Sequence, residues 1–248
     1  MHDSASGLDG VVARVTRRLI PFLLLMYVLA FLDRANIGFA KQAFQADTGL
    51  SNAAYAMGAG IFFAGYALFE VPSNLILHRV GARLWLGRIM VTWGLISAAM
   101  AWASTERSFY TLRFLLGAAE AGFFPGVIYY LTQWYPASHR ASALGLFYFG
   151  APLAFTLGGP LSGWLLELDG RAGWHGWQWM FVVEGVLASL TGLWALVYLD
   201  NKPSEARWLE TSQRAILQTA LEREAEAIRT ENPGRVWKTL RDQIGRAH

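Results

Sequence analysis

Residues 19–40 read LIPFLLLMYVLAFLDRANIGFA. A helix needs about 20 mostly apolar residues to cross the hydrocarbon core of a bilayer, and this stretch supplies them. Arg17 and Arg18 precede it, as basic residues precede the apolar region of a signal peptide. The stretch is too long for such a region, lacks a small-residue cleavage site, and carries Asp33 and Arg34 near its far end. It reads as an uncleaved first membrane span.

The rest of the chain repeats the pattern. Predicted spans lie at roughly 19–40, 52–77, 86–105, 109–132, 141–166 and 177–199, joined by short polar connections. Of the 248 residues 54% are apolar and 16% charged, against about 25% charged in soluble domains. Sixteen of the 39 charged residues follow residue 200, so the first 200 positions are poorer still. The predicted fold is an all-α integral membrane protein: a short N-terminal tail (1–18), a six-helix transmembrane domain (19–200) and a segment over 201–248. In that last segment Asn201-Lys202-Pro203 breaks the sixth span, and 204–230 reads as an amphipathic helix. Trp208, Leu209, Ile216, Leu217 and Leu221 form its apolar side, and no further span follows at 244–248.

Composition excludes several functions. The chain has no cysteine, hence no disulfide framework, thiolate metal site or thiol nucleophile. The five histidines (2, 78, 139, 175 and 248) are scattered over ends and loops, without metal-ligand spacing. No phosphate-binding glycine loop follows a strand, and no nucleophile elbow is present. No cofactor is expected. The basic residues follow topology instead. With the N-terminus in the cytoplasm, Arg14, Arg17, Arg18, Arg79, Arg83, Arg88 and Arg140 fall inside and only Lys41, Arg107 and Arg171 outside. The basic tail joins the inside set, as the positive-inside rule requires. No basic patch on a soluble face suggests nucleic acid. Trp and Tyr residues near the predicted span ends, among them Trp85, Trp102, Trp134, Tyr135, Trp164 and Trp177, suit an interfacial belt.

Charges within spans need a reason. Asp33 and Arg34 lie about 21 Å along the first span, Arg113 about 5 Å and Glu120 about 15 Å along the fourth. Arg113 and Glu120 are seven residues apart and share a helix face. If the first and fourth spans are neighbours, two acids and two bases converge. Such a cluster can bind an organic anion and exchange protons, or it can be a static ion-pair network between helices. Glu70 (with Asn74 a turn later) and Glu184 read equally as structural or coupling groups. Small residues at Gly122/Gly126 and Gly159/Gly163 predict close helix approach, and Pro160 a kink.

These residues resemble the major facilitator superfamily, and within it the anion:cation symporter branch. The resemblance rests on Phe31-Leu32-Asp33-Arg34-Ala35-Asn36-Ile37-Gly38-Phe39-Ala40 and on Pro72-Ser73-Asn74 with His78-Arg79-Val80-Gly81-Ala82-Arg83. It continues in Leu112-Arg113 through Glu120-Ala121-Gly122-Phe123-Phe124-Pro125-Gly126 and in Leu199-Asp200 to Pro203, Ala206, Trp208 and Leu209. His78 stands where most of the superfamily carries aspartate.

The resemblance implies two six-helix halves alternating around a midplane site, in a multi-pass protein of the bacterial inner membrane with N-terminus and tail cytoplasmic. It implies proton-coupled symport of a small organic carboxylate, such as a sugar acid, tartrate, or a phthalate- or hydroxyphenylacetate-like compound. Asp33 and Glu120 would carry protons. Arg34 and Arg113 would hold the anion or modulate the acids, Tyr27 would face the cavity, and His78, Arg79, Gly81 and Arg83 would form a gating loop. The expected partners are the carboxylate, protons, the lipid bilayer and a missing C-terminal six-helix half, since such transporters have about twelve spans and this chain is then a truncated N-terminal half. The competing classes are a non-transporting membrane receptor or assembly subunit, and an integral-membrane enzyme using the buried carboxylates.

Overall fold

The structure of the protein, a computed structural model, describes residues 2–231. Residues 232–248 of the predicted last segment, including its end at 244–248, lie outside the described residues. The described chain is helical, with no strand among the described residues. The helices are α1 (His2–Phe39), α2 (Lys41–Thr48), α3 (Asn52–Val80), α4 (Ala82–Ala99), α5 (Glu106–Glu120), α6 (Phe123–Trp134), α7 (Ala137–Tyr148), α8 (Gly150–Leu166), α9 (Gly176–Tyr198) and α10 (Thr211–Glu231).

Among the described residues six segments are long and apolar enough to cross a membrane: Gly7–Phe39, Asn52–Val80, Ala82–Trp102, Glu106–Trp134, Ala137–Leu166 and Gly176–Tyr198. Two of them are interrupted. The fourth stops at Glu120 and restarts at Phe123, and the fifth changes helix at Phe149. The first helix begins far ahead of its predicted span, so the segment before residue 19 is helical and continuous with it. The predicted helix over 204–230 starts only at Thr211. Pro203 forces a short 3₁₀ turn, so Trp208 and Leu209 precede α10 rather than lie on it. Leu209 and Leu217 are buried, while Ile216 remains exposed.

Glycine spacing decides which helices touch. Gly87 and Gly94 on α4, and Gly185 and Gly192 on α9, are each seven residues apart, two turns on one stripe. The stripes face each other. A Cβ on Gly185 would lie 2.5 Å from the Gly94 carbonyl oxygen, and one on Gly192 would lie 2.7 Å from the Val91 nitrogen. On α3 and α5 the backbones approach at Gly65 and Gly117, where a Cβ would collide with the carbonyl oxygens of Phe114 and Phe62 respectively, while Gly58 makes room for the Phe109 ring. Close backbone approach is the main source of helix association where lipid removes the hydrophobic driving force. The two predicted small-residue pairs differ. Gly122 and Gly126 are close-approach sites as expected, since a Cβ would collide with the Ser73 hydroxyl at 122 and lie 2.7 Å from Leu77 at 126, whereas Gly159 and Gly163 meet nothing within 4 Å.

α1 packs chiefly on α8 and α9. The outer faces of α3 and α8 carry exposed Phe63, Leu68, Val71, Leu75, Phe155 and Leu157, surfaces suited to lipid or to another helical body. Several aromatics expected at an interfacial belt are core residues instead: Trp134 and Tyr135 are buried, and so is Trp177 against Phe44.

Gly94→Leu should place a side chain against the α9 backbone and destabilise the fold by about 1–3 kcal/mol or more. Gly159→Ala should be neutral or stabilising by up to about 1 kcal/mol. Thermal unfolding of the detergent-purified protein, followed by tryptophan fluorescence, distinguishes the two.

Candidate functional site

The candidate site is built on one turn of α1. Residues 33, 34 and 36 leave the helix in different directions because successive residues rotate by about 100°. Asp33 faces α4, where the Ser97 hydroxyl donates to its Oδ1. Arg34 reaches α5 and pairs with Glu120, Nη2 to Oε1, at 2.7 Å. Asn36 turns to α9 and donates through Nδ2 to Glu184 Oε2 at 2.8 Å. One turn therefore ties the first span to three others.

Of the four residues expected to converge, Arg34 and Glu120 pair directly, while Asp33 bonds Ser97 and Arg113 bonds the Gly58 carbonyl. α1 packs on α8 and α9, and Arg34 spans the remaining distance to α5 with its side chain. Burial separates the roles. Asp33, Arg113, Glu120, Asn36 and Glu184 are all buried, whereas the Arg34 side chain keeps 32% exposure. Arg113 is held behind Phe62, its guanidinium 4.7 Å from the ring centroid, and its Nε donates to the Gly58 carbonyl at 3.3 Å. That carbonyl belongs to α3, which packs along α5. Asp33 Oδ2, Glu120 Oε2 and Glu184 Oε1 are buried without a hydrogen-bond partner among the described residues.

Arg34 and Glu120 form the charged floor of a cavity of about 260 Å³. Its walls are aromatic: Tyr27, Phe31, Phe63, Tyr66, Phe123 and Phe124. Tyr27 is fixed there by stacking on Phe147 at 4.4 Å, and the Arg34 guanidinium lies 5.3 Å from the Tyr66 ring centroid. Arg113 and Asp33 do not line this cavity.

The break in the fourth span sits directly beneath Glu120. Gly122 adopts φ +85°, a conformation that favours glycine. Broken backbone within a membrane must be satisfied by protein. Here the Ser73 hydroxyl of α3 donates to the freed Ala121 carbonyl at 2.6 Å, and Trp85 Nε1 donates to Ser73 at 3.0 Å. A Cβ at residue 122 would collide with that same hydroxyl.

The remaining candidates lie elsewhere. Glu70 is half-buried near the far end of α3, and the Asn74 amide turns back to the Glu70 carbonyl at 2.8 Å within the same helix. The loop of His78, Arg79, Gly81 and Arg83 joins α3 to α4. Gly81 has φ +91°, the Arg83 amide donates to Asn201 Oδ1 at 3.0 Å, and His78 packs on Tyr129. This loop is docked on the segment after the sixth span. Among the described residues no cluster of three metal-ligating side chains occurs.

Six candidate membrane spans among the described residues, one of them discontinuous beside a charged cavity, have the architecture of half of a membrane transporter. The description of the Major Facilitator Superfamily matches residues 23–243, and the chain belongs to that family. The family is one of membrane transporters, not of enzymes, and the protein is multi-pass. The chain is 54% identical to the inner membrane transport protein RhmT of Escherichia coli K12, covering 95% of this chain and 56% of that protein. It is 52% identical to a protein of Agrobacterium vitis named provisionally as a tartrate transporter, over 82% of this chain and 47% of that protein. The chain thus spans about half the length of the curated relatives it matches. Among solved structures, an inward-facing, occupied bacterial homolog of the human lysosomal transporter Spinster aligns with TM-score 0.70 at 22% identity, over 75% of this chain and 44% of that one. The E. coli xylose transporter XylE aligns with TM-score 0.65 at 18% identity, over 87% of this chain and 56% of that one. These likenesses concern the fold.

Ser73→Ala should leave the Ala121 carbonyl and the Trp85 indole without their partner and cost about 1–3 kcal/mol. The expected result is a lowered unfolding midpoint, read against Ser212→Ala on the exposed start of α10 as control.

Proposed function

We propose that the chain forms the N-terminal half of a proton-coupled symporter for a small organic carboxylate, working by alternating access against a second six-helix half. The observation that carries this reading is the Arg34–Glu120 pair on the cavity floor, with Arg34 the exposed partner. The named relatives support the substrate class, since one is named for tartrate. The excess of arginine at the α10 end supports an inner-membrane protein with N-terminus and tail in the cytoplasm.

The coupling follows from competition. A guanidinium matches one carboxylate at a time in a bidentate fork. With Glu120 ionised, Arg34 is occupied. When Glu120 takes a proton, Arg34 is free to hold the carboxylate of the substrate. Loss of the proton restores the internal pair and releases the anion. Asp33, buried against Ser97, carries the second proton. Arg113, sealed behind Phe62, acts on the acids by its charge and not by touching substrate. Tyr27 and Tyr66 shape the cavity wall, and the Asn36–Glu184 pair holds the polar turn of α1 against α9.

The test uses the protein at its full natural length, reconstituted in liposomes. Uptake of a carboxylate such as tartrate should rise as external pH falls. Glu120→Gln should retain carboxylate binding and lose its pH dependence, while Asp33→Asn should abolish concentrative uptake. Unchanged proton-driven uptake in both variants overturns these roles. Saturable binding by the wild type without uptake would favour a receptor. Arg34→Gln should abolish binding and also destabilise the protein by on the order of 3–5 kcal/mol, because the buried Glu120 loses the guanidinium it is paired with.

A further inference from the structure

The end of the bundle that carries α10 has a second, larger concavity, unrelated to the candidate transport site. It measures about 690 Å³ and lies between α1 at Arg18, the start of α4, the end of α9 and the segment leading into α10. Arg18, Arg83, Arg207 and Arg214 line it, together with Asp200 and Glu205.

The two carboxylates are already engaged. Asp200 accepts from Trp208 Nε1 at 2.9 Å. Glu205 accepts from the Asn201 amide at 3.3 Å and lies 3.9 Å from Lys202 Nζ. None of the four arginines forms an ion pair with a carboxylate among the described residues. Arg18 Nε and Arg214 Nε are buried atoms without a hydrogen-bond partner among those residues. Arg18 is also fixed in place: its guanidinium lies between the rings of Tyr198 at 4.6 Å and Trp208 at 4.9 Å, and the Tyr198 hydroxyl donates to its carbonyl at 2.9 Å. Four guanidinium groups thus line one recess without a carboxylate partner among the described residues, an arrangement suited to an anion. Beside them, Val197 at 80% exposure and half-exposed Trp194 continue the wall along the outer face of the sixth span. A fixed charged recess opening onto an apolar, lipid-facing strip matches a phospholipid, with its phosphate among the arginines and an acyl chain along α9.

We propose that this recess is a phosphate-anion site whose ligand is the headgroup of an anionic phospholipid, bound at the membrane surface between the first span, the sixth span and the α10 segment. The bound phosphate offsets part of the positive charge of the recess and joins the segment leading into α10 to the transmembrane bundle. Substrate in the central cavity is not involved, so the site stands or falls independently of the proposed symport.

The test compares wild type with the Arg83→Gln, Arg207→Gln, Arg214→Gln triple variant, each purified from membranes and checked for helix content by circular dichroism. Phosphatidylglycerol and phosphatidylcholine are titrated separately in mixed micelles and retained lipid is counted by native mass spectrometry. A third arm titrates inorganic phosphate. Wild type should retain phosphatidylglycerol in preference to phosphatidylcholine. The variant should bind phosphatidylglycerol roughly a hundredfold more weakly, with phosphatidylcholine unchanged. Equal retention of the two lipids by wild type, or equal phosphatidylglycerol retention by wild type and a folded variant, overturns the proposal. Inorganic phosphate binding as tightly as phosphatidylglycerol overturns the lipid assignment in favour of the free anion.

Discussion

Ionised groups are costly in hydrocarbon unless other protein groups take the place of water. The turn of α1 at residues 33–36 meets that demand three times, toward three different helices. Asp33 is matched by Ser97 on α4, Arg34 by Glu120 on α5, and Asn36 matches Glu184 on α9. The arrangement around α1 depends on these links, because moving any one of the four helices would strip a buried polar group of its partner. A polar turn that would otherwise destabilise a membrane span thereby becomes its anchor.

The links can form only because the other helices are held at short range. Seven-residue glycine spacings on α4 and α9 bring those backbones into contact, and Gly65 and Gly117 do so for α3 and α5. The Gly58 carbonyl of α3 gives Arg113 of α5 a backbone group to bind. Packing and chemistry are thus not separate layers. Small residues set the distances over which the charged side chains reach one another.

Much of this was legible in the chain. Six apolar stretches and the scarcity of charge before residue 200 gave the architecture, and that scarcity made Asp33, Arg34, Arg113 and Glu120 conspicuous. The family likeness added the expectation of half a two-part fold. What stayed hidden had physical causes. Ser97, Ser73 and Tyr66 are ordinary residues in apolar runs, and only the packing of α3 and α4 gives them partners. The break at Ala121–Gly122 leaves hydropathy unchanged, so the fourth span looked continuous. Its signal was Gly122 followed by Pro125. The glycine pairs at spacing four drew attention because that spacing is familiar, yet only Gly122 and Gly126 are in close contact, and the pairs at spacing seven on α4 and α9 bring two helix backbones together. Trp134 and Trp177 looked interfacial because they sit near span ends, yet both are covered by the connecting segments.

A helix that stops and restarts is two levers on one pivot. α6 runs about 18 Å from the break at Gly122 to Trp134, whose ring stacks on Trp208 at 5.7 Å. Its near end adjoins the carboxylate that grips Arg34, and its far end bears on the segment leading into α10. The cavity floor and the α10 end of the bundle are therefore joined through one short helix, bounded by the glycine break that the Ser73 hydroxyl bridges and by the Trp134–Trp208 stack.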